Sequence, residues 1–141
     1  NRLDEIHSSL NEVITNWLPN KAAVEQIFVA KGADSALKLG MARGVAMQTC
    51  AGKGLDLTEI SARQVKKAVT GTGAADKTQV AAMVEKLLNI KPEGLDASDA
   101  LAIAIAGINM WPNYSIDKTT SPTGNGLKSA IEAALLKEQR R

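Results

Sequence analysis

The chain has 141 residues, 45% of them hydrophobic and 23% charged, with a formal net charge of +2. That length suits one globular domain with a buried core, and the charge is too small to imply a nucleic-acid partner by itself. A single cysteine, Cys50, excludes an internal disulfide and a cysteine-based zinc site. No apolar run approaches a membrane span and no signal peptide is visible, so a reducing cytoplasm is the expected compartment. The first residue is Asn1 rather than methionine, which suggests a processed, cut or partial product.

Leu3, Ile6, Leu10, Val13, Ile14 and Trp17 recur at helical spacing and predict an amphipathic helix stopped by Pro19. His7 lies near that stripe and reads as a structural histidine. "AAVEQIF" at 22–28 reads as a short buried strand with Glu25 at its end. "ADSALKLGMARGVAMQTCAGKG" at 33–54 predicts a helix capped by Asp34 or Ser35, with Gly52 and Gly54 past its end. Within it Ala36, Gly40 and Gly44 follow one another at four-residue spacing. Such a row suits close approach of a backbone, either this chain's own sheet or a second molecule.

"LDLTEIS" at 55–61 alternates like a strand, and "ARQVKKAV" is a short basic helix ended by Gly71 and Gly73. A further helix is expected over 75–90, with Val80, Met83, Val84, Leu87 and Leu88 on one face. Pro92 and Gly94 turn the chain into the helix of "GLDASDALAIAIA". Residues 113–126 read as a loose linker and 127–141 as a last helix with a charged end. The order is α/β, but two strands make a thin sheet for this much helix, so the sheet looks incomplete.

Asp96 and Asp99 sit three residues apart and share a helix face. At ~6 Å and an effective dielectric of ~20 their repulsion is roughly 3 kcal/mol. Two things offset such a cost: helix capping, with Asp96 as the N-cap and Asp99 near N3, or a hard cation such as Mg²⁺ or Mn²⁺. Glu25 is either a further oxygen ligand at the end of an apolar strand or an edge glutamate reaching water. Arg63, Lys66 and Lys67 crowd one short helix, and Lys67 reads as part of a solvated basic face. Lys77 stands where the next helix begins, against the macrodipole, a placement that an anionic ligand would explain. Phe28 reads equally as a core residue or as an exposed ring that stacks on a base.

Three blocks, "VEQIFVAKGADSALKLGMARGVA" (24–46), "SARQVKKAVTGTGAADKTQVAAMV" (61–84) and "DASDALAIAIA" (96–106), closely resemble the RuvC family of Holliday-junction resolvases. The likeness spans most of residues 1–107. It implies an RNase H-like, three-layer α/β/α domain over 1–110, followed by a linker and C-terminal helix or tail at 111–141. The activity it implies is that of a metal-dependent, structure-selective endonuclease that resolves Holliday junctions by symmetric paired nicking in recombination and repair. The implied cofactor is Mg²⁺ or Mn²⁺, two ions per active site. The implied partners are four-way junction DNA, a second copy of the chain in a homodimer, RuvA and RuvB, with no membrane.

Carried over by motif, Glu25, Asp96 and Asp99 resemble three of the four metal-binding carboxylates. Lys77 matches the lysine beside the scissile phosphate, Arg63 and Lys66 match basic residues of the DNA surface, and Phe28 matches an aromatic inserted at the crossover. The family's first strand carries a "GIDPG"-like motif whose aspartate is the fourth ligand, and nothing here matches it. The expectation is therefore a C-terminal portion of a resolvase, incomplete in its N-terminal three-strand region. The alternative for the chain as it stands is a non-catalytic DNA-binding or dimerisation module.

Overall fold

The structure is a computed structural model that describes residues 1–27 and 32–111. Phe28, the linker and the last helix expected from the sequence lie outside the described residues. The described elements are α1 (Arg2–Trp17), β1 (Lys21–Glu25), α2 (Ala33–Gly52), β2 (Asp56–Ile60), α3 (Ala62–Thr70), α4 (Lys77–Leu88) and α5 (Gly94–Met110).

The first helix starts on Asn1, whose side-chain oxygen accepts from the Leu3 N–H. It ends at Leu18, which adopts a left-handed conformation just before Pro19. Only Ile14 of the apolar stripe is buried, while Val13 and Trp17 are exposed. The α1 helix packs on α2. One tie between them is a 2.8 Å hydrogen bond between His7 Nδ1 and Thr49 Oγ1. The Thr49 hydroxyl donates to the Val45 carbonyl, so it accepts from His7, whose Nδ1 must carry the proton. His7 is thus a structural residue.

β1 and β2 pair in parallel, with Ala23 opposite Thr58 and Glu25 opposite Ile60. Strand side chains alternate, so Lys21, Ala23, Glu25, Thr58 and Ile60 share one face. That face meets α5: Ala23 packs against Gly107, and Trp111 donates from its indole N–H to Thr58 Oγ1 at 2.8 Å. The other face meets α2, where Arg43 pairs with Glu59. The result is three layers, with α1 and α2 on one side and α3, α4 and α5 on the other.

The core lies between the sheet and the second helical layer and consists of Ile60, Val65, Val69, Ala75, Val80, Val84, Ala102 and Ala106. Ile60 and Val84 are completely buried, each worth about 1.5–3 kcal/mol of transfer free energy. Two reciprocal capping boxes start two of the three helices of this layer, Ser61 with Gln64 on α3 and Asp76 with Gln79 on α4. No described helix is long and apolar enough to cross a membrane.

Several boundaries differ from expectation. β1 stops at Glu25 rather than running to 28, although the Gln26 N–H still bonds the Ile60 carbonyl at 2.8 Å. The α2 helix starts at Ala33 with Gly32 as its cap, so neither Asp34 nor Ser35 caps it. Asp34 instead pairs with Lys38 one turn on. α4 is shorter than 75–90 at both ends, beginning at Lys77 and ending at Leu88.

Candidate active site

Both strands end at one edge of the sheet, the carboxyl end, where ligands collect in open α/β sheets. There Glu25 closes β1 on the face turned to α5. Ser61 follows Ile60 directly and caps α3, which brings Ala62, Val65 and Lys66 beside it. A pocket of about 240 Å³ forms at this point. Its polar lining is Glu25 of β1, Lys66 of α3, Lys77 of α4 and Asp99 of α5. Four separate elements therefore deliver two carboxylates and two ammonium groups to one cavity.

Capping does not explain the acids of α5. The helix begins at Gly94 behind Glu93, with no side-chain cap. Asp96 is its third residue and stays in the first turn, where the helix dipole favours a carboxylate. Asp99 lies in the second turn, beyond the reach of the orphan N–H groups. Its partner is Lys77, whose Nζ stands 3.7 Å from its carboxylate. The two share a helix face, but Asp96 is exposed and does not line the pocket with Asp99.

Lys77 occupies the first position of α4, beside the cap Asp76. The Asp76 carboxyl is held below its ordinary range, first by the Thr78 hydroxyl, then by the Gln79 N–H and, among smaller influences, by the charge of Lys66. The helix start is thus satisfied by Asp76, and Lys77 gains nothing from the helix dipole. Arg63 does not line the pocket; its stem lies along the neighbouring loop, and a β-carbon on Gly73 would sit 2.8 Å from Arg63 Cγ. Lys67 is exposed, as expected of a solvated face.

Among the described residues no group of three or more His, Cys, Asp or Glu lies close enough to hold a metal ion. The pocket nevertheless has the donor chemistry of a hard cation, because Glu25 and Asp99 present carboxylate oxygens and no thiolate or imidazole. Mg²⁺ commonly takes one or two carboxylates and keeps several waters, so this set fits a hydrated divalent ion. One residue at this end was not singled out by the sequence: Arg43 of α2 bonds the backbone of Glu25 and pairs with Glu59.

The family model described as crossover junction endodeoxyribonuclease RuvC matches residues 1–107. The chain belongs to the RuvC family. It is 50% identical over 114 residues to the RuvC of Histophilus somni, covering 79% of this chain and 60% of that protein. It is 51% identical over 107 residues to the RuvC of Photorhabdus laumondii, covering 74% and 61%. The chain thus spans about three-fifths of the length of these curated relatives. Among solved structures it resembles Thermus thermophilus RuvC in complex with Holliday junction substrate, with a TM-score of 0.70 and 34% identity over 74% of this chain and 65% of that one. A second T. thermophilus RuvC structure matches with a TM-score of 0.68 at the same identity, over 74% of this chain and 64% of that one. The fold is that of RuvC, RNase H-like, as the three sequence blocks implied.

Proposed function

We propose that this chain supplies most of the active site of a Holliday-junction endonuclease that nicks two strands of a four-way DNA junction symmetrically. The carrying observation is that Glu25, Lys66, Lys77 and Asp99, from four elements, line one pocket at the carboxyl end of the sheet. Glu25 and Asp99, with Asp96 one turn earlier on α5, are the groups that would hold divalent metal, Mg²⁺ or Mn²⁺. Bound there, metal supplies an activated water and stabilises the leaving oxygen of the phosphodiester.

The chain's own residues do the rest. Lys77 is 77% exposed and ion-paired only loosely with Asp99, so its ammonium can turn to a phosphate oxygen and offset the charge that builds there. Lys66 is half-buried on the pocket wall and holds a phosphate by charge. Arg63, laid along the loop before α4, extends the basic surface beyond the pocket. Phe28 follows Glu25 by three residues, and its ring is assigned to the unstacked bases of the crossover. A second copy of the chain would provide the second nick, and RuvA and RuvB are the partners expected to deliver the junction.

The test uses a synthetic four-way junction and Mg²⁺, with the chain alone and with the N-terminal segment of the H. somni relative fused ahead of Asn1. Glu25→Gln and Asp96→Asn in the fused form should lower cleavage by about 100-fold or more while junction binding stays within about twofold. Wild-type cleavage in either variant would remove that residue from the site. Binding without cleavage in both unmutated forms would instead favour a non-catalytic junction-binding module.

A further inference from the structure

The peptide bond that follows Glu25 is held from both sides. Its N–H, on Gln26, donates to the Ile60 carbonyl of β2 at 2.8 Å. In a trans peptide the carbonyl points the opposite way, so the Glu25 C=O faces away from β2, where the two-stranded sheet has no further strand among the described residues. There Arg43 Nε donates to it at 3.2 Å. The same guanidinium is anchored by an ion pair from its Nη2 to the Glu59 carboxylate on β2. Arg43 is 22% and Glu59 46% exposed, so the fork lies partly open to water and rests on its two directed bonds. The Glu25 carboxylate meanwhile projects to the opposite face, into the pocket with Asp99.

We infer that Arg43 is a positioning residue: from behind the sheet it fixes the backbone of Glu25 and thereby the direction in which the Glu25 carboxylate meets a divalent cation. This rests on the assignment of Glu25 as a metal-binding carboxylate. The physical reasoning is specific to the place. β1 ends at Glu25, and strand ends fray where ladder bonds stop. A carboxylate on a fraying end samples many directions and loses entropy on binding a cation. Pinning the peptide on both sides removes that freedom beforehand. Arginine suits the task because its planar fork makes two directed bonds at once, which an ammonium group does not reproduce. Glu59 orients the fork and keeps its charge paired.

The experiment titrates Mn²⁺ into the chain and follows binding by calorimetry and by paramagnetic broadening of the Glu25 and Gln26 amide signals. Arg43→Gln should weaken Mn²⁺ binding about tenfold, the size expected of a group that orients a ligand without touching the metal. Arg43→Lys should restore little of it. Glu59→Gln, which leaves Arg43 in place, should shift affinity in the same direction by less and serves as the test if Arg43→Gln does not fold. In a Glu25→Gln background, Arg43→Gln should cause no further loss, because the group it orients is gone. Additive losses, or unchanged Mn²⁺ affinity in both Arg43→Gln and Glu59→Gln, would overturn the positioning role. If Glu25→Gln itself leaves Mn²⁺ binding unchanged, or the unmutated chain binds none, the assignment of Glu25 fails first and the inference falls with it.

Discussion

Lys66 and Lys77 carry the same charge into one pocket, yet their settings separate their roles. Lys66 stands half-buried on α3, with its charge near the Asp76 cap. Lys77 sits on the opposing helix start with Asp99 as its ion-pair partner, adjacent to the carboxylates assigned to metal. A charge that only attracts phosphate acts on binding and on its salt dependence. A charge that strengthens its contact as the phosphate gains negative charge acts on rate. Lys66→Ala should therefore weaken binding on every junction sequence and flatten the salt dependence by about one phosphate contact. Lys77→Ala should cut the cleavage rate at saturating junction more than it cuts affinity. Filter binding over a salt series and single-turnover cleavage separate the two, and a Lys77→Ala protein that loses only affinity would place Lys77 among the phosphate contacts.

At the scale of elements, the site depends on how closely α5 approaches the sheet. Gly107 sets that distance: a β-carbon there would lie 2.8 Å from Ala23 Cβ and 3.2 Å from the Trp111 ring. Neither neighbour yields cheaply, since Ala23 is fixed in β1 and the Trp111 indole is tied to Thr58. Gly107→Ala should cost about 1–3 kcal/mol in urea unfolding, the usual penalty for overpacking. An unchanged midpoint would mean that α5 shifts freely on the sheet. The sequence made the identities of the elements legible, because apolar periodicity and the Gly and Pro stops are local. It left their ends open, because ends are decided by partners. β1 can pair only as far as β2 does, and β2 stops where Ser61 turns the chain into α3, so past Glu25 the ladder keeps only the bond from the Gln26 N–H to the Ile60 carbonyl. Gly94, with a φ of +87°, turns the chain into α5 three residues earlier than the Asp96 cap signal suggested. Glu25, Lys66, Lys77 and Asp99 were legible as chemistry, and the fold brings them together. Arg43 was not, because its partners Glu25 and Glu59 are supplied by strands 18 and 16 residues away in sequence.

At the scale of the whole molecule, α2 turns an apolar face with small residues outward. Gly40 and Gly44 each cost a soluble helix about 1 kcal/mol relative to alanine. Packing on the chain's own sheet does not account for them: among the described residues, a β-carbon on either would have nothing within 4 Å. Leu37 and Met41 lie on the same face, at i and i+4, and are 64% and 48% exposed. A small-residue row between exposed apolar side chains suits a second helix laid close against it. A two-fold contact uses such a face twice, so one bulky change is felt on both sides. The proposed paired nicking would need two sites at fixed separation, and Arg43, next to Gly44 on this helix, ties the same element to Glu25. Gly40→Leu has open space in the single chain, so its melting temperature should change little. The proposed homodimer should weaken by about 30-fold or more, as an overpacking penalty of about 1–3 kcal/mol repeated across the axis implies. Sedimentation at micromolar concentration measures the first effect, and the ratio of single to paired nicks measures the second. Mn²⁺ binding by each chain should persist. A Gly40→Leu protein that still forms a stable dimer and cuts both strands together would move the contact to another face of the molecule.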